Sequence, residues 1–441
     1  MKKRISWLGT VLALLLVLVP VQAQEMENLP EIKSDYYYMV DLENHQVMLD
    51  EGSEEKIYPA SMTKMMTLLV AIEHAPALDT TMVLGPEVFE GLAEAHASVA
   101  GFKQGEEVTV KDLLYGLFLP SGADAGQALA LEAAGSEEGF VELMNQKAQE
   151  LGMSGTHFVN TSGLHDPDHY TTLRDLEKLM RYALDNPVFR EIFQTRHYTA
   201  HPSLHPQGLV WQSTLFSKIS TTDERKVNND NIIGGKTGYT NPAGLCLASM
   251  AEKNGTEYLL ITAHAPVSNT PYHILDADHI YDYFYENYQK YRVIASDQVL
   301  QKIEVPYVLW DRELDVTTGE DIDLNLPAGM DPSTLITEIT IPEDLAAPVG
   351  EGEVIGQLTV SMNDEQKTVL KQMDLVSPKE YRRNPVLYGF HQFSLWVREH
   401  MIFSFLTVLA VVLLLILYRD YQREERRYRT LKRKKPRHPH L

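Results

Sequence analysis

The sequence predicts an α/β domain over residues 33–291, a small all-β domain over residues 292–378 and a C-terminal transmembrane helix. Three observations carry this. Strand-like runs stand at both ends of residues 33–291, with helical patterns between them. After Tyr291 the texture changes to short alternating runs separated by turns. Residues 401–418, "MIFSFLTVLAVVLLLILY", hold no charged side chain.

The elements follow in order. Residues 1–23, "MKKRISWLGTVLALLLVLVPVQA", combine three positive charges, an apolar stretch and small residues around Ala23, the pattern of a cleaved secretory signal. "YYYMVDLENHQVMLDEG" reads as two strands, Tyr36 to Asp41 and Gln46 to Asp50, around a polar turn. Pro59 introduces a helix, as proline does at a first turn. Helix is expected from Lys111 to Gly139 with a break at "PSGA", then along "SEEGFVELMNQKAQELGM", whose Phe140, Leu143, Met144, Ala148 and Leu151 share one face, and through much of residues 173–195. "GLCLASMAEKNGTEYLLITAHAP" is two β-runs about Asn254-Gly255, a strong hairpin signal. "HILDADHIYDYFYENYQKY" predicts an aromatic-rich closing helix. Residues 379–400 read as a juxtamembrane connector.

Eighteen residues of helix span roughly 27 Å, enough for a hydrocarbon core. The tail, residues 419–441, carries ten Lys/Arg against three Asp/Glu, an excess that stays cytoplasmic and directs the preceding domains outward. The formal net charge is −22 although both ends are basic, so the intervening segment is strongly acidic. Nucleic-acid phosphates would be repelled by it. With one cysteine, Cys246, no internal disulfide exists, and apolar packing is that residue's expected role.

Chemistry concentrates in three short stretches. "YPASMTKMMTLLVAIE" spaces Ser61 and Lys64 one helical turn apart, so the amine reaches the hydroxyl. Met62, Met65, Met66 and Leu68 are placed to desolvate that amine, and the positive helix N-terminus also disfavours its ammonium form; both effects convert a lysine into a general base. A Ser-x-x-Lys is weak evidence alone. "LPSGADAG" adds Ser121 in a break between helices, where a hydroxyl projects into a cleft. "IIGGKTGYTNPAG" puts Lys236 and Thr237 at the start of a strand, offering a cation and a hydroxyl to a carboxylate, with Gly238 permitting a close backbone approach.

In this order the set Ser61-Met-Thr-Lys64, Ser121-Gly-Ala and Lys236-Thr-Gly resembles the motifs of penicillin-binding proteins and serine β-lactamases. Of these, the closer resemblance is to low-molecular-weight D-alanyl-D-alanine carboxypeptidases. The resemblance implies a penicillin-binding-protein-like domain of antiparallel sheet and helices, with a small accessory domain behind it. It implies an acylated nucleophile at Ser61, a general base at Lys64, proton relay by Ser121, a carboxylate clamp at Lys236 and Thr237, and oxyanion donors at the backbone N–H of Ser61 and Tyr239. The substrate implied is the D-Ala-D-Ala terminus of peptidoglycan stem peptides, β-lactams would be inhibitors, and no cofactor or metal is required.

Two departures stand out. The family's second motif is usually Ser-x-Asn, and here Ala123 takes the third place; Asp124 beside it should point elsewhere. Such carboxypeptidases often attach by an amphipathic helix lying on the membrane, whereas residues 401–418 are long enough to span it. A β-lactamase is the rival enzyme, but no Glu-x-x-x-Asn setting appears near residues 155–170. A non-catalytic wall-binding protein of the same fold is the rival from another class. "HFVNTSGLHDPDHY" collects His157, His165 and His169, which read as polar turn residues because Pro167 interrupts any shared helical face.

Overall fold

The computed structural model describes residues 29–219, 227–364 and 367–433. The expected signal segment and the last residues of the tail lie outside these. The described residues form two units. The first holds residues up to Val293 together with Asp323–Leu335 and Ser361–Leu370; the second holds Ile294–Ile322, Ile336–Val360 and the chain from Lys371.

In the first unit, β1 (Tyr36–Asp41) and β2 (Val47–Glu51) form the opening hairpin. A 3-10 turn, Ala60–Met62, leads into α1 (Thr63–His74). Two short strands follow, β3 (Thr81–Val83) and β4 (Glu107–Thr109), and then α2 (Val110–Phe118), α3 (Ala123–Ala134) and α4 (Glu137–Glu150). The next helices are α5 (Leu173–Leu184) and α6 (Pro187–Gln194), and the next strands β5 (His197–Ala200) and β6 (Leu209–Gln212). Helix starts are written in side chains: the Thr109, Ser136 and Thr172 hydroxyls accept from the N–H three residues on, and Gly135 at φ +77° stops α3.

The sheet is completed by β7 (Ile232–Thr240), β8 (Gly244–Lys253) and β9 (Thr256–Ala265). Its order is β2-β1-β9-β8-β7, antiparallel throughout. The predicted hairpin is present. Asn254 (φ 55°) and Gly255 (φ 82°) take the two left-handed positions that a type I′ turn demands.

Each face of the sheet is covered. One carries α7 (Tyr272–Asn287), whose Ile280, Tyr281 and Phe284 are buried against β8 and β9. The other carries the α1–α6 layer, centred on α1. Met65, Met66, Leu68, Leu69, Val70 and Ala71 are fully buried, so α1 is a core helix wrapped on all sides rather than an amphipathic surface one.

The closing helix stops earlier than the sequence suggested. Tyr288–Ile294 is a strand, β10, because its β-branched and aromatic residues find a sheet partner. Next come β11 (Gln301–Glu304) and β12 (Glu313–Val316), which pair with each other. Strand β13 (Ile322–Pro327) returns to pair with β10. Within the first unit, Asn325 donates its side-chain N–H to Asp41 at 2.6 Å and exchanges two hydrogen bonds with the Gln46 amide.

A three-stranded sheet of β14 (Ile336–Thr340), β15 (Val354–Ser361) and β16 (Val369–Val376) completes the β-rich region. From Pro385 to Arg433 the chain is one helix, α8, so most of the segment read as a connector is helical. Pro at the first helical position and the Asn384 side chain, which accepts from Val386 and Leu387 N–H, explain the start. Residues 401–418 lie within this helix, which is long and apolar enough to cross a membrane and fits a membrane anchor.

Candidate active site

Ser61 sits in the 3-10 turn that precedes α1, and Ala60 before it is held at φ +47°. A β-carbon in the left-handed region is strained, and such strain persists only where surrounding contacts impose it. Those contacts are close. A Cβ on Gly163 would lie 1.8 Å from the Ala60 carbonyl oxygen, and one on Gly238 would lie 3.0 Å from the Pro59 carbonyl oxygen. The close approach at Gly238 is therefore made by the turn that carries Ser61.

One turn on, Lys64 Nζ lies 3.3 Å from Ser61 Oγ and donates to the Ser162 carbonyl at 2.6 Å. Lys64 is only 2 % exposed. Burial strips water from its ammonium and holds its pKa down to about 7, with the Asp124 charge opposing the shift. A substantial fraction of this amine is uncharged near neutral pH and can accept the Ser61 proton.

The second serine stands opposite. Ser121 adopts φ +65° in the break between α2 and α3, and its Oγ accepts from Lys236 Nζ at 3.1 Å. Lys236 also donates to the Thr237 carbonyl at 3.0 Å and faces the Phe118 ring. It is fully buried; desolvation, and then the nearby Lys64, push its pKa well below the ordinary lysine value. The Thr237 and Thr214 hydroxyls meet at 2.6 Å. Ser61, Ser121, Thr237, Gly238 and Tyr239 line one cleft of about 360 Å³ on the β7 side of the sheet. A larger cavity of about 620 Å³ lies elsewhere, and its cations Lys178, Arg181 and Arg190 are already paired with Asp175, Glu177 and Glu257.

All seven residues singled out in the sequence thus converge. Ser162 was missed, since a backbone carbonyl leaves no signature in side-chain types. From the sequence His169 is expected only as a turn residue. Its Nδ1 accepts from Val159 N–H at 3.1 Å, so its Nε2 carries the proton and donates to Thr63 Oγ1 at 2.7 Å. Burial lowers its pKa to about 4, and the neutral ring ties the 153–172 loop to the residue beside Lys64. Cys246 lies opposite Gly238 in the β7–β8 register, fully buried, with its thiol pKa raised to about 11 by burial. Asp124 points away from the cleft, as expected; its carboxylate accepts from Ala100, Gly101 and Phe102 N–H at 2.7, 3.0 and 3.3 Å.

A serine and a buried lysine one turn apart, a second serine bridged to a strand lysine, and an antiparallel sheet between helix layers define a serine penicillin-binding-protein fold with an all-β C-terminal domain. The chain belongs to the D-alanyl-D-alanine carboxypeptidase family, peptidase S11, whose model matches residues 22–266. The model for the penicillin-binding protein 5 C-terminal domain matches residues 288–383. The chain is 27% identical to the D-alanyl-D-alanine carboxypeptidase DacF of Bacillus subtilis over 327 residues, 74% of this chain and 81% of that protein. It is 33% identical to the D-alanyl-D-alanine carboxypeptidase DacB2 of Mycobacterium tuberculosis over 234 residues, 53% of this chain and 75% of that one. Among solved structures, penicillin binding protein 5 from Haemophilus influenzae shares the fold, with TM-score 0.67, 21% identity, and 80% and 99% of the two chains covered. A mutant of the Streptomyces K15 DD-transpeptidase aligns with TM-score 0.52 at 28% identity over 58% of this chain and 98% of that one. Family membership makes the chain a serine peptidase of the D-Ala-D-Ala carboxypeptidase class, for which β-lactam binding is characteristic.

Proposed function

We propose that Ser61 is the acylated nucleophile of this carboxypeptidase and that Lys64 is its general base. The observation that carries the reading is the 3.3 Å approach of a desolvated Lys64 amine to the Ser61 hydroxyl. In this reading Lys64 takes the hydroxyl proton as Ser61 Oγ attacks the carbonyl of the penultimate D-alanine of a peptidoglycan stem peptide. The backbone N–H groups of Ser61 and Tyr239 receive the developing oxyanion. Ser121 relays a proton to the leaving amine, so the terminal D-alanine departs neutral at nitrogen. Lys236 and Thr237 hold its carboxylate. Water then attacks the ester, and the same groups run in reverse to free Ser61.

The enzyme acts outside the cytoplasmic membrane in this proposal, exported by residues 1–23 and retained by a single span at 401–418 with the basic tail inside. The test is release of free D-alanine from a pentapeptide, with mass-resolved products, together with labelling by a tagged penicillin. Wild type should do both and Ser61→Ala neither. Equal labelling of the two proteins would overturn the assignment. Rapid turnover of the lactam would reveal a β-lactamase, and wall binding without D-alanine release a non-catalytic protein.

A further inference from the structure

Two residues beyond Ser121 stands Ala123, whose methyl group is buried, and a polar side chain from another segment lines the cleft. Ser98 lines the cleft with Ser61 and Ser121. Its carbonyl accepts from Ala123 N–H at 2.7 Å, which seats it beside the start of α3. Ser98 is exposed, and its hydroxyl makes no hydrogen bond to any described residue.

This segment is fixed in place. The Asp124 carboxylate collects the N–H groups of Ala100, Gly101 and Phe102, and Trp211 Nε1 donates to the Ala100 carbonyl at 2.9 Å. Contact with the Ser121 turn is close enough that a Cβ on Gly122 would sit 2.7 Å from Ala100 N. The sheet ends at β7, so an extended peptide beside Ser61 can pair one row of its amides with that edge. Ser98 lines the same cleft as Thr237, Gly238 and Tyr239 of that edge.

We propose that Ser98 is a substrate-binding residue: its hydroxyl donates to the carbonyl oxygen of the amide on the acyl side of the scissile bond, and Asp124 is the positioning residue that clips its segment to the cleft. The proposal rests on the Ser61 acyl-enzyme reading above. It places recognition of the acyl amide on a segment separate from the three motifs.

Two β-lactams separate this role from a structural one. Benzylpenicillin carries an acyl amide beside its lactam ring, whereas 6-aminopenicillanic acid has a bare amine there. Acylation of Ser61 is followed by mass spectrometry with the full-length chain in detergent. Ser98→Ala should slow benzylpenicillin acylation roughly three- to tenfold, the range for one hydrogen bond between neutral groups, and leave 6-aminopenicillanic acid unchanged. Ser98→Thr, which keeps the hydroxyl, should restore the first rate. Asp124→Asn should weaken the same preference. Equal slowing of both lactams by Ser98→Ala, or no slowing of either, overturns the inference while leaving the Ser61 reading intact. A wild-type protein that neither lactam acylates removes the Ser61 reading and this proposal together.

Discussion

Ser121 Oγ lies 3.1 Å from Lys236 Nζ, and this hydrogen bond closes the cleft between the helical layer and the edge of the sheet. Ser121 belongs to a strained turn and Lys236 to β7, 115 residues further on. The bond gives the serine hydroxyl a fixed direction, since an ammonium or amine that donates to Oγ leaves the hydroxyl proton free for another acceptor.

Removing that partner should therefore damage turnover more than folding. Lys236→Met is expected to lower kcat/KM for a pentapeptide by roughly 100-fold or more, in the range seen when a positioned catalytic group is lost. Its urea midpoint should move little, because a buried amine is replaced by an apolar side chain of similar length. Steady-state kinetics and equilibrium unfolding of the same preparation check both halves.

Lys64 sets a pH dependence. Its pKa is held down to about 7, and the neutral amine is the form that accepts a proton. Acylation by a penicillin should rise with pH through about 7 and level above it. Lys64→Arg, protonated at every accessible pH, should abolish the rise and reduce the rate by at least roughly a thousandfold. A stopped-flow or mass-resolved acylation series from pH 5 to 9 reads this directly.

Gly163 is predicted to be intolerant. It takes φ +82°, and a Cβ would overlap the Ala60 carbonyl oxygen. Gly163→Ala should cost about 3 kcal/mol or more and displace the Ser61 turn. The expected readout is a lower melting temperature together with loss of penicillin labelling.

Acid should loosen the fold through two buried imidazoles. His169 and His273 both have pKa values lowered to about 4 by burial, below the unfolded value near 6.5. Above pH 6.5 both states hold the rings neutral and nothing is lost. As pH falls from 6.5 toward 4 the unfolded chain takes up protons first, so stability declines by up to roughly 3 kcal/mol per ring. His169→Gln should remove about half of that slope in urea titrations at pH 7, 6 and 5.

Much of this site was legible because its chemistry is carried by residue types at fixed spacing: Ser61 and Lys64, Ser121, Lys236 and Thr237. The Asn254-Gly255 turn was equally readable, since few pairs tolerate two left-handed positions. What the sequence concealed was partnership across distance. The Ser162 carbonyl that receives Lys64, and the His169 ring that braces Thr63, depend on how a loop of ordinary polar residues folds back. The strand at Tyr288–Ile294 was hidden by its aromatics, which continue the pattern of the helix before it until tertiary pairing decides between the two. Ser98 lay in an unremarkable stretch and gained interest only from its neighbours.

The sealed position of Cys246 has a practical consequence. A thiol that is fully buried and held protonated at working pH reacts slowly with maleimides and iodoacetamides. A reporter cysteine introduced on the outer surface would then be the single reactive handle on the molecule. Fluorophores or spin labels could be attached at chosen points without first deleting the native sulfhydryl.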